Sequence, residues 1–120
     1  AGRLAGVDPT PRMIEIARAR CPGADLRVAA GEATGFEDGA FDMAMMINVI
    51  HHLDDIAAGL GEAYRLLCPG GRIVIGGEVF DREWVPEGQE YSGPLAAAGF
   101  GAVERRDLAG AFITTARKEG

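Results

Sequence analysis

Hydrophobic positions between residues 41 and 75 form a pattern that predicts a strand, a helix and a second strand. The segment Phe41–Ile47 is almost wholly apolar after Asp42, which is typical of a parallel strand covered on both faces. Asp54 and Asp55 follow a polar loop and are residues of a type that caps helix N-termini. A right-handed crossover unit is the expected way to join the two strands.

An apolar stripe at helical spacing comes next and predicts the helix of this unit. Its members are Ile56, Leu60, Ala63 and Leu67. Pro69, Gly70 and Gly71 are expected to end the helix, because proline cannot continue it and glycine accepts a tight turn. We expect the second strand to begin at Arg72 and to run through Ile75.

The segment ahead of this unit reads as strand, helix and strand. Arg3–Val7 and Leu26–Ala30 are the predicted strands. Thr10-Pro11 is expected to start the helix, because threonine caps and proline suits the first helical position. One face of this helix carries the apolar residues Met13, Ile14, Ala17 and Cys21.

After the central unit, the pattern predicts a short helix and a hairpin. The helix covers Pro94–Ala98 and ends at Gly99. Ala102–Arg106 and Ala111–Arg117 alternate between apolar and polar residues, and their close spacing predicts antiparallel strands. The whole chain is therefore expected to be an α/β domain.

Composition excludes several functions. The chain has 120 residues, enough for one domain, and a net charge of −6 without a basic run, so the footprint of a nucleic-acid-binding protein is missing. No apolar run approaches the ~20 residues that span a bilayer. Cys21 and Cys68 form no C-x-x-C pair, which is typical of a reducing cytoplasm. We expect a cytoplasmic protein without nucleic acid, membrane or metal partners.

Several short motifs occur in a fixed order through the central unit: Phe41-Asp42, Asn48, His51-His52, Glu62, Arg65-Leu66-Leu67 and Pro69-Gly70-Gly71. In this order and spacing they resemble class I S-adenosylmethionine-dependent methyltransferases, in particular the small-molecule branch that includes quinone-biosynthesis enzymes. The resemblance covers nearly the whole chain. It implies a Rossmann-like, mostly parallel sheet with helices on both faces and a C-terminal antiparallel hairpin. It also implies S-adenosyl-L-methionine as the cofactor and a small molecule as the methyl acceptor.

The resemblance assigns three residues near the N-terminus to the adenosine part of the cofactor. Asp8 would bind the ribose hydroxyls, and Glu32 would accept from the adenine amino group. Ala33 would leave room for the ring and donate its backbone N–H. Plainer interpretations stay open, because Asp8 suits a helix N-cap and Glu32 suits a solvated turn.

Five further candidates follow the strand ends. Asn48 and His51 would face the cofactor, although Asn48 could instead bond its own backbone. His52, Trp84 and Tyr91 are candidates for the substrate side, with loop packing as the alternative for the two aromatic residues. Adjacent histidines point in different directions and suit one metal ion poorly. A general base is needed only if the acceptor must lose a proton, as a phenol does. No catalytic residue is assigned.

Two further sets of residues are expected to be structural. Glu62 and Arg65 lie one helical turn apart and are interpreted as a surface or helix–sheet ion pair worth under ~1 kcal/mol. Methionines are expected in the core rather than at the cofactor. They are Met13, Met43, Met45 and Met46.

One departure from the family is large. Its first strand and glycine-rich turn should precede Arg3, and the turn faces the methionine part of the cofactor. That strand lies between the family's second and fourth strands, so Arg3–Val7 must pair directly with Phe41–Ile47 or leave a gap. We expect residues 1–120 to be a single, N-terminally truncated domain that binds the cofactor weakly or not at all. A partner chain or a second copy is expected at the gap.

Three hypotheses therefore stay open. The first is a small-molecule methyltransferase or a piece of one, and the second is a non-catalytic, methyltransferase-like binding module. The third is a nicotinamide-dependent oxidoreductase, which Asp8 after a strand would fit. The third lacks both a G-x-G-x-x-G fingerprint and a Tyr-x-x-x-Lys pair. The Pro-Gly-Gly unit and the terminal hairpin favour the first.

Overall fold

The structure is a computed structural model that describes residues 4–47, 53–78, 92–108 and 111–119. These residues contain six strands and three helices, as expected of an α/β chain. In chain order the elements are β1 Ala5–Asp8, α1 Pro11–Arg20, β2 Asp25–Val28, β3 Phe41–Ile47, α2 Ile56–Leu66, β4 Leu67–Glu78, α3 Ser92–Ala98, β5 Gly101–Leu108 and β6 Ala111–Arg117.

Hydrogen bonding divides the strands of the described residues into two sheets. β1 and β2 are parallel, with Asp8 opposite Val28 at one end of the pair. The second sheet has the order β3-β4-β6-β5, in which β3 and β4 are parallel and β6 is antiparallel to both of its neighbours. This mixed α/β arrangement confirms the predicted fold class, including the C-terminal antiparallel hairpin.

The structure leaves β1 and β3, between which the family's first strand was expected, in separate sheets. Among the described strands, no hydrogen-bonded ladder joins β1 to β3. Of the two arrangements that the sequence left open, direct pairing and a gap, the structure therefore has the gap. One edge of β3 keeps backbone groups that no described strand pairs, and an unpaired edge of this kind can accept a further strand.

Helix α2 begins as predicted. The Asp55 carboxylate accepts a hydrogen bond from the backbone N–H of Ala58 at 3.0 Å, which is an N-cap interaction. The buried side of α2 includes Leu60 and Ala63, in agreement with the predicted apolar stripe. The periodicity of the sequence therefore located both the start and the face of this helix.

The end of α2 was predicted wrongly. The helix ends at Leu66, three residues before Pro69, and β4 already begins at Leu67. The Lys118 ammonium group donates to the backbone oxygen of Tyr64 at 2.9 Å and to that of Leu67 at 2.8 Å. A cation that satisfies the carbonyls at a helix C-terminus is favourable there. The sequence could not indicate this contact, because the lysine lies about fifty residues further along the chain.

Gly99 ends α3 as predicted, in a left-handed turn. Its φ is +109°, and the N–H groups of Gly99 and Phe100 donate to the oxygens of Ala96 and Leu95 at 3.0 Å each. These two bonds are those of a Schellman motif, which favours glycine at this position. A Cβ atom at Gly99 would also lie 3.0 Å from the ring of Tyr64.

The hydrophobic core is formed by the second sheet with α2 and α3. Phe100 closes one side of it, with its ring edge-on to Tyr64 at 5.2 Å between centroids. Every residue of the main buried cluster comes after residue 59, and the members are Leu60, Ala63, Leu67, Ile73, Ile75, Leu95, Phe100, Phe112 and Ala116.

The unit formed by β1, α1 and β2 has little core of its own. Ile14 is the buried hydrophobic residue of α1, whereas Cys21 just after the helix is exposed. The prediction of core methionines is wrong for three of the four. Met13 is 52% exposed, Met43 43% and Met45 63%, and only Met46 packs against the core. Successive strand residues face opposite sides, so Met43 and Met45 lie on the face of β3 away from Met46.

Candidate cofactor site

Two carboxylates follow neighbouring strands at one edge of the small sheet. Asp8 is the last residue of β1, and Glu32 comes four residues after the end of β2. Because β1 and β2 are parallel and adjacent, their carboxyl ends lie at the same edge. Open α/β sheets bind their ligands at such edges. The structure thus places Asp8 at the end of β1 and Glu32 in the turn that follows the adjoining strand, β2.

The Asp8 carboxylate uses one oxygen locally. Its Oδ1 accepts a hydrogen bond from the backbone N–H of Thr10 at 2.8 Å. The N-cap of α1 is Thr10, whose side chain makes no capping hydrogen bond, so Asp8 shapes the turn before the helix rather than capping it. Its other oxygen, Oδ2, has no hydrogen bond from the residues that the structure describes. A carboxylate oxygen is a strong acceptor, so Asp8 can still receive a hydroxyl donor.

Glu32 is attached to the segment that starts α2. Its Oε2 accepts from the backbone N–H groups of Asp54 and Asp55 at 3.1 and 3.2 Å. The interpretation of Glu32 as a merely solvated turn residue is therefore wrong, because the carboxylate joins two parts of the chain. Within the described ranges, Oε1 has no hydrogen bond and is available as an acceptor.

Ala33 differs from its predicted role in one respect. Its backbone N–H donates to the oxygen of Ala30 at 3.1 Å, so it is used inside the turn. The expectation that this N–H faces the cofactor is wrong in this structure, because the turn after β2 closes on it. The small, exposed side chain still leaves room for a planar ring beside Glu32.

The loop after Ala33 is fastened to α2 by a nearly buried carboxylate. Glu62, whose side chain is 9% exposed, accepts at Oε2 from the Thr34 N–H at 2.8 Å and from the Thr34 hydroxyl at 2.7 Å. Arg65 donates from Nε to Oε1 at 2.8 Å and from Nη2 to Oε2 at 2.9 Å. These hydrogen bonds from Arg65, and then those from Thr34, lower the pKa of Glu62 to about 2 despite its burial.

The pair was predicted to be a surface or helix–sheet ion pair, and the surface interpretation is wrong because the Glu62 side chain is only 9% exposed. The spacing of Glu62 and Arg65 showed that they meet, but Thr34 lies 28 residues earlier and gave no sequence signal. Arg65 extends the contact further, since its Nη1 pairs with the Asp38 carboxylate and its backbone oxygen accepts from the Gly39 N–H at 2.9 Å. The side-chain hydrogen bonds to Glu62, and then the one to Asp38, raise the pKa of Arg65 above its ordinary value.

Aromatic contacts complete the connection between the two sheets. The Phe36 ring is buried and meets the Phe41 ring edge-on, with 5.4 Å between centroids. The guanidinium of Arg27, on β2, lies 4.3 Å from the centre of the Phe36 ring. Residues 31–41 therefore form a packed bridge from the small sheet to β3 and α2.

The remaining candidates lie outside the described residues. They comprise two cofactor-side residues and three substrate-side residues, namely Asn48, His51, His52, Trp84 and Tyr91. Within the described part of the chain, no three His, Cys, Asp or Glu side chains come together as a metal site. No helix there is long and apolar enough to cross a membrane.

The hydrogen-bond acceptors at the sheet edge fit a nucleoside. Two carboxylates on neighbouring strand ends each keep one available oxygen, at Asp8 Oδ2 and Glu32 Oε1. Vicinal hydroxyls and an exocyclic amino group are donors that such acceptors bind. The fold and this acidic edge together define an α/β protein of the nucleotide-binding, Rossmann-like class.

Comparison with known families makes the assignment specific. Residues 1–75 match the family described as a methyltransferase domain, and the chain belongs to this family. The resemblance to class I S-adenosylmethionine-dependent methyltransferases of the quinone-biosynthesis type is thereby confirmed, and S-adenosyl-L-methionine is the cofactor that the family implies.

Individual relatives agree with this family. A demethylmenaquinone methyltransferase of Thermus thermophilus is 38% identical over 76 residues, which cover 60% of this chain and 34% of the relative. A SAM-dependent methyltransferase of Thermotoga maritima has the same fold, with a TM-score of 0.82 over 97% of this chain and 73% of its own at 24% identity.

A third similar protein was solved with a partner. It is a Haloferax volcanii methyltransferase in complex with the activator Trm112, and its TM-score is 0.87 over 99% of this chain and 72% of its own at 19% identity. The chain spans about a quarter to a third of the length of the curated relatives that it matches first. The fold is shared, whereas activity, substrate and partners are matters for proposal.

Proposed function

We propose that the chain serves S-adenosylmethionine-dependent methyl transfer to a small molecule. The observation that carries the proposal is the pair of carboxylates that follow the parallel strands β1 and β2, Asp8 at the end of β1 and Glu32 in the turn after β2, each with an available oxygen. Membership of the methyltransferase domain family supports it. The cofactor supplies an activated methyl group when bound, and the task of the protein is to align donor and acceptor and to exclude water.

The proposed roles follow the acceptors of the site. Asp8 Oδ2 receives the ribose hydroxyls, and Glu32 Oε1 receives the adenine amino group. Ala33 contributes space for the ring rather than a hydrogen bond, since its N–H is bonded to Ala30. Asn48 and His51 stay predictions for the cofactor side on the strength of their positions after β3.

The acceptor we propose is a quinone precursor or a similar small ring compound. Relatives named as demethylmenaquinone methyltransferases, at 38% identity in the Thermus protein, support this class. His52, Trp84 and Tyr91 stay predictions for the substrate side. A phenolic acceptor would need to lose a proton, and a histidine is the side chain suited to take it near neutral pH.

The carboxylate pair is tested by titrating S-adenosylhomocysteine into the full-length gene product by calorimetry. Asp8→Ala should abolish measurable binding, because it removes the acceptor of the ribose hydroxyls. Asp42→Ala is the matched control, since Asp42 is exposed near the amino end of β3 and should leave the Kd unchanged. Unchanged affinity in Asp8→Ala would remove Asp8 from the site.

We also propose that residues 1–120 alone bind the cofactor weakly or not at all. A glycine-rich turn like the family's is not found in these residues, and the gap between β1 and β3 supports the same proposal. Calorimetric titration of the 120-residue chain should show no low-micromolar affinity for S-adenosylmethionine. An in-frame strand ending in G-x-G-x-G upstream of Ala1 in the coding sequence would supply the missing turn.

The second candidate is a methyltransferase-like module that binds a partner instead of catalysing. The unpaired edge of β3, with exposed Met43 and Met45, favours this function, because it can take a strand from a partner or a second copy. Light scattering of the isolated chain distinguishes the two candidates. Stable self-association without any methyl transfer supports the module, and a monomeric full-length gene product that transfers a methyl group supports the enzyme.

We propose a cytoplasmic location for the protein. The two cysteines are unpaired, and Cys21 is exposed. Free, exposed thiols persist in a reducing compartment. Cell fractionation that recovers the protein with periplasmic or membrane material would contradict this location.

A further inference from the structure

We propose that Glu62 is a positioning residue for the cofactor, which fixes the loop of residues 31–39 so that Glu32 and Ala33 face the adenine. The inference rests on the proposed function. It assigns to α2 a role in binding although, among its described contacts, Glu62 bonds only to Thr34 and Arg65 and not to the carboxylates of the site. We call these three residues the Thr34 clamp.

Glu62 holds Thr34 through two hydrogen bonds. Both donors of this residue, the backbone N–H and the hydroxyl, end on the same oxygen of Glu62 at 2.8 and 2.7 Å. Thr34 is 8% exposed, so water cannot easily replace these bonds. Loss of the carboxylate would leave buried donors unsatisfied, and the loop would have to move to expose them to water.

Arg65 holds the Glu62 carboxylate in one orientation. Arg65 contacts both of its oxygens through Nε and Nη2, which is the two-point geometry that fixes a carboxylate in one orientation. The backbone oxygen of Arg65 receives the N–H of Gly39 at the far end of the loop. One turn of α2 therefore holds both ends of residues 34–39.

Thr34 lies close along the chain to the residues proposed to face the adenine. Thr34 follows Ala33 directly and lies two residues after Glu32. Residues 32–34 have one other described hydrogen-bonded attachment near α2, in which Glu32 accepts from the N–H groups of Asp54 and Asp55, just before the helix, at 3.1 and 3.2 Å. A shift of about 1 Å in a binding group is enough to lose most of its contribution. Thr34 is thus the point at which α2 controls the position of Glu32.

The test uses the full-length gene product with graded changes at Glu62. Glu62→Gln keeps an acceptor for Thr34 but loses the charge that Arg65 pairs with, and Glu62→Ala loses both. Thr34→Val removes the hydroxyl, which donates to Glu62 at 2.7 Å and accepts from the Phe36 N–H at 3.3 Å. Glu15→Gln is the matched control, because Glu15 is an exposed carboxylate on α1. S-adenosylhomocysteine affinity is measured by calorimetry well below the unfolding temperature, and amide hydrogen exchange of residues 32–36 is measured without ligand.

The Kd should be lowest for the wild type, higher for Glu62→Gln and highest for Glu62→Ala. The alanine variant should bind about tenfold more weakly than the wild type. Exchange of the Thr34 amide should accelerate in the same order, while Glu15→Gln changes neither quantity. The double variant Thr34→Val with Glu62→Ala should lose less affinity than the two single losses added together, because both changes remove the contact between the Thr34 hydroxyl and Glu62. A merely structural role would lower the unfolding temperature and leave the Kd of the folded protein unchanged, and that result overturns the proposal.

The outcomes separate this inference from the proposed function. If the wild type binds no S-adenosylhomocysteine, the proposed function fails and the inference fails with it, whatever the exchange data show. If the wild type binds and Asp8→Ala abolishes binding while Glu62→Ala changes neither Kd nor exchange, the function stands and the positioning role is wrong. If both variants lose affinity as expected, both are supported.

Discussion

The two sheets differ in how they are stabilised. The four-stranded sheet packs on α2 and α3 around fully buried residues such as Leu60 and Ile75. In the unit of β1, α1 and β2, Ile14 is the buried hydrophobic residue of the helix, and Met13 and Val28 are exposed. The candidate adenosine site nevertheless lies on this thinly packed unit, at the ends of β1 and β2.

The main hydrophobic core and the candidate cofactor site therefore lie in different parts of the chain. Binding elements often come from the less stable part of a protein, where a ligand can order them. Here the bridge of residues 31–41 connects the parts through Thr34, Phe36 and their partners. Through this bridge, the well-packed four-stranded sheet holds the candidate site on the small sheet in position.

The largest expected effect on stability comes from truncating a side chain in the main buried cluster. Ile75→Ala should lower the free energy of unfolding by about 2–5 kcal/mol, because it leaves a cavity among close-packed side chains. Urea titration followed by circular dichroism measures it. Ile113→Ala on β6 is the control, since Ile113 is partly exposed, and it should cost well under half as much.

Urea titration of Ile14→Ala tests whether the two sheets unfold separately. We expect this change to loosen β1, α1 and β2 while the unfolding of the four-stranded sheet stays near its wild-type midpoint. Amide exchange resolves the two parts separately. Equal destabilisation of both sheets by Ile14→Ala would show that the chain unfolds as one unit and that the proposed division is wrong.

Acid should weaken the bridge through Glu62. Its pKa lies near 2 in the folded chain and near 4.5 otherwise, so the folded state binds the proton more weakly. The stabilisation, on the order of 3 kcal/mol, is fully present above pH of about 4.5 and is lost as the pH falls towards 2. The difference in unfolding free energy between wild type and Glu62→Gln should therefore shrink over this range. A difference that does not vary with pH would contradict the low pKa.

A smaller loss is expected at the end of α3. Gly99→Ala places a side chain at a φ of +109° and 3.0 Å from the Tyr64 ring, and should destabilise the chain by about 1–3 kcal/mol. Gly93→Ala in the same helix is the control, because a Cβ there meets no atom within 4 Å. Thermal unfolding should show the control unchanged or slightly more stable. Equal effects at both glycines would rule out the strained turn as the cause.

The smallest effect is expected on the exposed face of β3. Met45→Thr should change the free energy of unfolding of the 120-residue chain by less than about 0.5 kcal/mol, since the side chain is largely in solvent. Urea titration checks this against Met46→Thr, which removes a side chain that packs on the core. A large loss from Met45→Thr would show that another part of the chain covers this face.

The sequence predicted the elements that depend on local patterns. The β3–α2–β4 unit, the Asp55 cap, the Gly99 stop and the terminal hairpin all have short-range signals, and the structure contains them. Contacts between distant residues gave no such signal. Lys118 at the end of α2 and Thr34 against Glu62 depend on tertiary packing, which no periodicity records.

The candidate site divides in the same way. The resemblance located Asp8 and Glu32, and the parallel pairing of β1 with β2 puts both at one sheet edge. It did not indicate that one oxygen of each carboxylate is already bonded within the chain, or that the Ala33 N–H is used by Ala30. Exposed methionines on β3 were mistaken for core, because apolar runs do not record which face the fold covers.

Amide hydrogen exchange of the full-length gene product, with and without saturating S-adenosylhomocysteine, tests the central claim most directly. We expect the ligand to slow exchange at residues 8–10 and 29–35, while β5 and β6 exchange slowly in both samples. Protection that appears instead in β5 and β6, or no change at residues 8–10 and 29–35, would contradict an adenosine site at the ends of β1 and β2.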